Sequence, residues 1–156
     1  MLSIAIPGRE PTSVEHLVLD VNGTLTESGA LLPGVAERLA RLQASLHIVL
    51  LTADTFGTAR GLAEGLGVEL HVLQPSNGSE QKRAFVQALG PERVIAIGNG
   101  ANDAAMLKLA ALGLAVVQAE GAAVSALLSA DAVFRSICDA LDALLAPARL
   151  VATLRD

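Results

Sequence analysis

The stretch HLVLDVNGTLT, residues 16–26, is an apolar run that ends on one aspartate, Asp20, and continues into Asn22-Gly23 and Thr24. Further along, VIAIGNGANDAAML, residues 94–107, repeats the arrangement: an apolar run, Asn99 between two glycines, then Asn102-Asp103. Each has the form of a buried strand that leads into a polar loop. Together they offer two carboxylates and two amides at two strand ends. Taken alone, Asn-Gly between apolar runs is also the strongest short-range hairpin signal, so residues 18–26 admit a simple tight turn. Against that turn, GALLPGVAERL follows with the character of a loop and a helix, not of a second strand.

Outward from these two stretches the chain alternates short apolar runs with longer helical segments. Strands are expected at 2–6, 15–21, 46–52, 69–73, 93–98, 112–117 and 131–134, the first two pairing as an N-terminal hairpin. Several are continuously apolar, the pattern of strands covered on both faces. Helices are expected at 33–45, 54–66, 79–90, 102–112, 121–129 and 136–155, the last interrupted at Pro147. Asp54 or Thr55 is the expected cap of the second helix and Ser79 of the third, which stops at Gly90. This rhythm predicts an α/β fold: a Rossmann-like, doubly wound parallel sheet with helices on both faces and ligands beyond the carboxyl ends of its strands. No repeat or linker-like shift in composition divides the 156 residues, and one domain over 1–156 is expected.

Composition narrows the function classes. The chain is 52% hydrophobic and 17% charged, which excludes a disordered polar chain. Eleven basic against sixteen acidic residues leave a net charge of −5 without a basic run, against a nucleic-acid partner held through phosphates. Three Phe and neither Trp nor Tyr leave little to stack on bases. No window is apolar for the roughly 18 residues of a membrane helix, and the N-terminal apolar stretch is too short for a signal peptide. The one cysteine, Cys138, reads as a small buried apolar residue in a reducing compartment, and a cytoplasmic protein without a membrane partner is expected. His16, His47 and His71 lack mutual ligand spacing and read as packing residues.

The individual polar signals are modest. GNGAND has Asp103 where a dinucleotide-binding fingerprint needs its third glycine, and Asn102-Asp103 can serve as helix caps. The spacing around Asp20 does not place Gly and Glu where a calcium loop needs them. Lys82, counted from a cap at Ser79, falls at the third helical position, where a capping box wants Glu and the helix dipole disfavours a cation by ~0.3–1 kcal/mol. Such a locally poor choice marks a candidate functional residue.

Their order carries more than any one of them. Asp in D-x-x-G-T after a strand, Thr52 after the next, Lys82 on a helix, then G-x-G-x-N-D resembles the haloacid dehalogenase superfamily from Leu17 to Asp103. DVNGTLT differs at two positions from the P-type ATPase signature D-K-T-G-T-L-T, so the nearest likeness is to the soluble P-type-ATPase-like hydrolases. The resemblance implies a Mg²⁺-dependent phosphohydrolase. Asp20 would be the nucleophile that forms an aspartyl-phosphate. Thr52, Ala53 and Lys82 would bind the phosphoryl group, with Lys82 also offsetting charge beside Asp20, and Asn102 would bind and orient the phosphate or orient Asp103. The Asp20 carboxylate, the backbone carbonyl of Asn22, Asn99 and Asp103 would hold Mg²⁺, the last two directly or through water.

Two positions depart from the family. Most of its phosphatases have an acid–base Asp where Asn22 stands, and an amide does not exchange protons near neutral pH. General acid–base catalysis contributes roughly 10²–10⁴-fold, so a slow phosphatase is expected. Asn99 keeps an oxygen for the metal but loses a charge. Both amides leave open a second reading, a non-catalytic module that retains the phosphate pocket. Only 29 residues separate Thr24 from Asp54, and the stretch from Thr52 to Lys82 is as short, so neither insertion point holds a cap. An uncapped site takes a large phosphorylated substrate or is covered by a neighbouring subunit, so a homo-oligomer is a candidate alongside small phosphorylated molecules.

Overall fold

The computed structural model describes all residues from 1 to 156 except Arg9, Thr55 and Asp156. Two antiparallel pairs frame its main sheet. β1 (Leu2–Ile4) pairs with β2 (Thr12–Val14), and β4 (Thr26–Glu27) pairs with β5 (Ala30–Leu31). The main sheet contains β3 (His16–Leu19), β6 (His47–Thr52), β7 (Glu69–Val72), β8 (Val94–Gly98), β9 (Leu112–Val116) and β10 (Ala132–Phe134). All pairs in it are parallel, in the order β10-β9-β8-β3-β6-β7.

The helices are α1 (Val35–Leu42), α2 (Ala59–Leu66), α3 (Gly78–Leu89), α4 (Ala104–Leu109), α5 (Val124–Ser129), α6 (Ile137–Leu145) and α7 (Ala148–Leu154). This is the Rossmann-like α/β architecture. Each central strand is apolar throughout because it meets helices on both faces. Leu17, Leu19, Leu50, Ile95, Ile97 and Leu114 pack with Leu39 of α1 and Leu141 of α6. On the opposite face Val18, Leu51, Ala96 and Ala115 meet Val86 of α3, Met106 of α4 and Ala126 of α5. A fully buried Leu of the first cluster contributes about 1.5–3 kcal/mol. On the second face the small residues let helices approach closely: a Cβ on Gly113 would collide with the Leu107 backbone of α4.

Strand succession runs one way from β3 to β6 and β7, then returns to β8 on the other side of β3 and continues to β9 and β10. The reversal point lies between β3 and β8, whose carboxyl ends open a crevice between diverging loops. Asp20 and Asn99 follow those two ends.

Several local expectations are corrected. The N-terminal hairpin joins 2–4 to 12–14, and residues 16–19 belong to the main sheet, where their apolar side chains meet both core faces. The tight hairpin turn is Ser28-Gly29, at φ 50° and 83°, between β4 and β5; the expected loop after Thr26 contains a short strand. α2 starts at Ala59, five residues later than expected, although the Asp54 carboxylate still accepts from Ala59 N at 2.9 Å. Thr55, the other candidate cap, lies outside the described residues. Ser79 is not a cap: α3 begins at Gly78 after Asn77 in the left-handed region, so Lys82 sits deeper than the third helical position. Cys138 is half-buried, its thiol donating to Pro33 O at 3.4 Å. His47 is exposed and bonds Glu69 at 2.7 Å, while His71 packs on Phe85.

Candidate active site

The carboxyl edge of the sheet gathers the polar residues that the core excludes. Among the described residues the buried polar side chains are Asp20, Thr24, Thr26, Thr52, Lys82, Asn99 and Asp103. Lys82 reaches in from α3, 1% exposed, and donates from Nζ to Asp20 Oδ1 and to Asp103 Oδ1, both at 2.6 Å. It places a single ammonium between two carboxylates that would otherwise repel, and offsets part of that repulsion.

Asp103 is fully enclosed. Its Oδ2 accepts from Asn99 N at 3.0 Å and Gly100 N at 2.9 Å, closing the 3₁₀ turn Ala101–Asp103 that leads into α4. Gly98 permits this closure, since a Cβ there would lie 2.5 Å from Asp103 Cγ. Both Asp103 oxygens are thus engaged by protein donors, which favours contact with a cation through water.

Thr24 links the two halves. Its hydroxyl lies 3.1 Å from Asp20 Oδ2 and 3.3 Å from Asn99 Oδ1. The Asn99 amide is oriented by its other end, where Nδ2 donates to Gly121 O at 3.1 Å and leaves Oδ1 toward the site. Asn22 is half-buried in the loop between them. Glu120, on the loop after β9, reaches the same place: a Cβ on Gly23 would lie 2.5 Å from Glu120 Oε2 and 2.6 Å from Asn99 Nδ2.

Thr52 ends the neighbouring strand β6, buried, with its Oγ1 accepting from Asp54 N at 3.0 Å and its own proton left to donate. Ala53 beside it is exposed. Asn102 is also exposed; its amide nitrogen faces the start of α3, 3.7 Å from where a Gly78 Cβ would stand. The structure therefore joins Asp20, Lys82, Asn99 and Asp103 by direct bonds or through Thr24, while Thr52 is buried at the end of the adjacent strand β6 and Ala53 and Asn102 are exposed.

Electrostatics follow from burial. Desolvation pushes the Asp20 carboxyl up from the ordinary 3.8 to about 6, the Asp103 charge adds to the rise, and Lys82 and the Thr24 hydroxyl oppose it. For Lys82, desolvation works against the ammonium, yet the charges of Asp20 and Asp103 outweigh it and raise its pKa. Two carboxylates sharing one ammonium leave the pocket with excess negative charge, a site that a cation relieves.

The profile of the haloacid dehalogenase-like hydrolases matches residues 10–111. This chain belongs to that family. It is a hydrolase by that membership, and P-type ATPases are among its relatives. An uncharacterized protein of Methanocaldococcus jannaschii is 52% identical over 65 residues, covering 42% of this chain and 70% of that one. A copper-exporting P-type ATPase of Vibrio cholerae is 32% identical over 99 residues, covering 62% of this chain and 11% of the ATPase. The chain thus spans about a tenth of the length of that transporter. Among solved structures, 3-deoxy-D-manno-octulosonate 8-phosphate phosphatase of Moraxella catarrhalis, in complex with magnesium, phosphate and the sugar acid, superposes with a TM-score of 0.71. It is 16% identical, covering 90% of this chain and 92% of that one, a likeness of fold. Among the described residues, no helix of this hydrolase is long and apolar enough to cross a membrane.

Residues that the sequence did not single out are Thr24, Gln118 and Glu120. Thr24 lies within the quoted D-x-x-G-T motif, which held its signal. Gln118 and Glu120 follow the apolar run 112–117 with no local pattern to mark them.

Proposed function

We propose that the chain is a divalent-cation-dependent phosphohydrolase of one domain that transfers a phosphoryl group to Asp20 and then to water. The observation that carries this reading is the buried Lys82 between Asp20 and Asp103 at the reversal point of the sheet. A carboxylate approaches a phosphate dianion only where positive charge offsets their repulsion, and Lys82 is held 2.6 Å from the attacking group for that purpose.

The residues present fit a hard cation. Asp20 Oδ2 and Asn99 Oδ1 share one threonine proton at 3.1 and 3.3 Å, so one acceptor is left unsatisfied. Oxygen donors of this kind suit Mg²⁺. In this reading Asp20, the Asn22 carbonyl and Asn99 hold the ion, with Asp103 reaching it through water. Bound there, Mg²⁺ supplies charge that draws the phosphate in and offsets the negative charge of the transition state.

The chain's own residues supply the rest. Asp20 Oδ attacks phosphorus, the P–O bond to the leaving group breaks, and the departing oxygen takes a proton from water. Thr52 and the Ala53 backbone, at the end of β6, bind phosphate oxygens, and Asn102 orients them from the loop after β8. Hydrolysis of the acyl phosphate then restores Asp20. Asn22 donates a hydrogen bond but moves no proton, so both proton transfers fall to water and turnover is slow.

Substrates are phosphate monoesters. One solved structure that superposes is named for a phosphorylated sugar acid, which supports a small phosphorylated metabolite. An open rim also suits a larger phosphorylated partner, or cover from a second copy of the chain; neither nucleic acid nor membrane is part of this reading, and a cytoplasmic setting is.

The test is hydrolysis of an aryl phosphate with Mg²⁺, followed by chelation, and isolation of an acyl phosphate on Asp20 after acid quench. Phosphate release that persists in Asp20→Asn would end the covalent reading. The absence of an acid at position 22 favours a second reading, a phosphate-binding module. Tight phosphate binding without turnover in both the wild type and Asn22→Asp would support it.

A further inference from the structure

Gln118 lies outside every motif, yet its side chain joins three backbone groups from distant segments. Its Nε2 donates to Gly23 O at 3.1 Å and Thr24 O at 2.9 Å, and its Oε1 accepts from Ile137 N at 2.8 Å. A half-buried amide therefore ties the loop after Asp20 to the first residue of α6. That helix is itself anchored, because Arg38 of α1 grips Asp142 with two bonds of 2.8 and 3.0 Å.

The consequence lies in the carbonyls of the loop. Val21 O accepts from the amides of Thr24, Leu25 and Thr26 at 3.2, 2.8 and 3.1 Å. Gly23 O and Thr24 O are taken by Gln118. Of the four carbonyls from Val21 to Thr24, that of Asn22 alone accepts no hydrogen bond among the described residues. The turn removes one oxygen from the site and Gln118 removes two.

We propose that Gln118 is a positioning residue that sets which loop carbonyl faces the phosphoryl-transfer site, holding Gly23 O and Thr24 O back so that Asn22 O is presented. The inference rests on the phosphohydrolase reading for its catalytic consequence, and on hydrogen-bond geometry alone for its structural one. The amide of Gln118 is spent on three backbone groups. It acts through the backbone, and through Thr24 on Asp20 and Asn99. Nothing in the helix–strand pattern requires an amide here, since an apolar side chain of the same length would pack as well but leave the carbonyls of the buried residues Gly23 and Thr24 without a donor and Ile137 N without an acceptor.

Two variants separate the loop from the helix. Gln118→Glu keeps an oxygen for Ile137 N but turns a carboxylate toward two carbonyls, releasing only the loop. Gln118→Met removes all three bonds at nearly constant volume. Amide hydrogen exchange, read residue by residue on the intact chain, should quicken about tenfold at Thr24, Leu25 and Thr26 in both variants, as the loss of about 1.4 kcal/mol of bonding implies. At Ile137 it should quicken in Gln118→Met only. The Mg²⁺ concentration that gives half-maximal thermal stabilisation should rise about tenfold in both. In active wild type, kcat on an aryl phosphate should fall about tenfold with KM within twofold, and Gln118→Asn should recover part of the loss.

Loop exchange equal to wild type in a folded Gln118→Glu would overturn the proposal, as would an unchanged Mg²⁺ midpoint. Uniformly faster exchange across the sheet would also overturn it, since that marks general support of the fold. If the wild type hydrolyses nothing, the phosphohydrolase reading fails by itself, while exchange and the Mg²⁺ midpoint still decide the role of Gln118.

Discussion

Lys82 and Asp20, 62 residues apart in the chain, meet at 2.6 Å in a pocket where the lysine is 1% exposed. The pair is not balanced, because Asp103 claims the same ammonium at the same distance. One cation against two buried carboxylates makes the metal-free fold carry an unfavourable charge at its site.

Asp20→Asn removes that charge and should stabilise the metal-free protein. The folded-state carboxyl lies at about 6 against an ordinary 3.8, so its protonated form favours the fold. That stabilisation is fully present below about pH 4 and lost as pH rises through 6. The advantage of Asp20→Asn over wild type should therefore be near zero at pH 4 and reach about 2–3 kcal/mol above pH 6. Denaturant titrations at several pH values without Mg²⁺ measure it, and saturating Mg²⁺ should close the gap. A gap that is constant with pH would mean that Asp20 is not strained by its charge.

Lys82→Met should do the reverse. With the ammonium gone, Asp20 and Asp103 are left buried without a cation, and stability at pH 7 should fall by about 3–5 kcal/mol. Phosphoryl transfer should be lost even where the protein stays folded. Lowering the pH should recover part of the stability, because the Asp20 carboxyl, already raised by burial and by the Asp103 charge, then takes a proton.

Asn22→Asp tests what the amide withholds. A carboxyl there would donate a proton to the leaving oxygen, and turnover should rise about tenfold or more within the 10²–10⁴-fold range of acid–base catalysis. Asp20→Asn in the same chain should abolish it, because an amide forms no acyl phosphate. The measurement is kcat on an aryl phosphate across Mg²⁺ concentrations, since the new charge adds to an already negative pocket.

Asn99→Asp is a mixed change. A second carboxylate should tighten Mg²⁺ binding, but its outer oxygen would face Gly121 O at the 3.1 Å now spanned by a hydrogen bond, with Glu120 close by. Without Mg²⁺ the variant should lose about 1–3 kcal/mol of stability. Thermal shifts with and without the ion separate the two effects. An unchanged Mg²⁺ midpoint would remove Asn99 from the ion's shell.

Much of this was legible in the sequence for a simple reason. Apolar runs such as LHIVLLT and RVIAIG are local signals of strands covered on both faces, and the family resemblance implied that the strands leading to Asp20, Thr52 and Gly98 are neighbours, as the sheet order shows. Element edges were less legible. The second helix was expected to start at 54 because Asp54 and Thr55 are capping residue types, but Asp54 adopts φ 52° and its carboxylate accepts from Ala59 N, where α2 begins. Asn22-Gly23 carried a hairpin signal, whereas the hairpin formed one turn later at Ser28-Gly29, where two short strands could pair.

By itself the sequence determined the alternation of strands and helices and the chemical order of Asp20, Thr52, Lys82, Asn99 and Asp103, because both are written in residue type and local spacing. Only the tertiary structure decided that Lys82 is shared by two carboxylates, that the Asn99 amide turns its oxygen inward, and that Gln118 holds the loop after Asp20. Each of these rests on hydrogen bonds between segments that the parallel crossovers bring together. Such bonds depend on distance and direction across the fold, for which a side chain's identity and its neighbours in the chain carry no period.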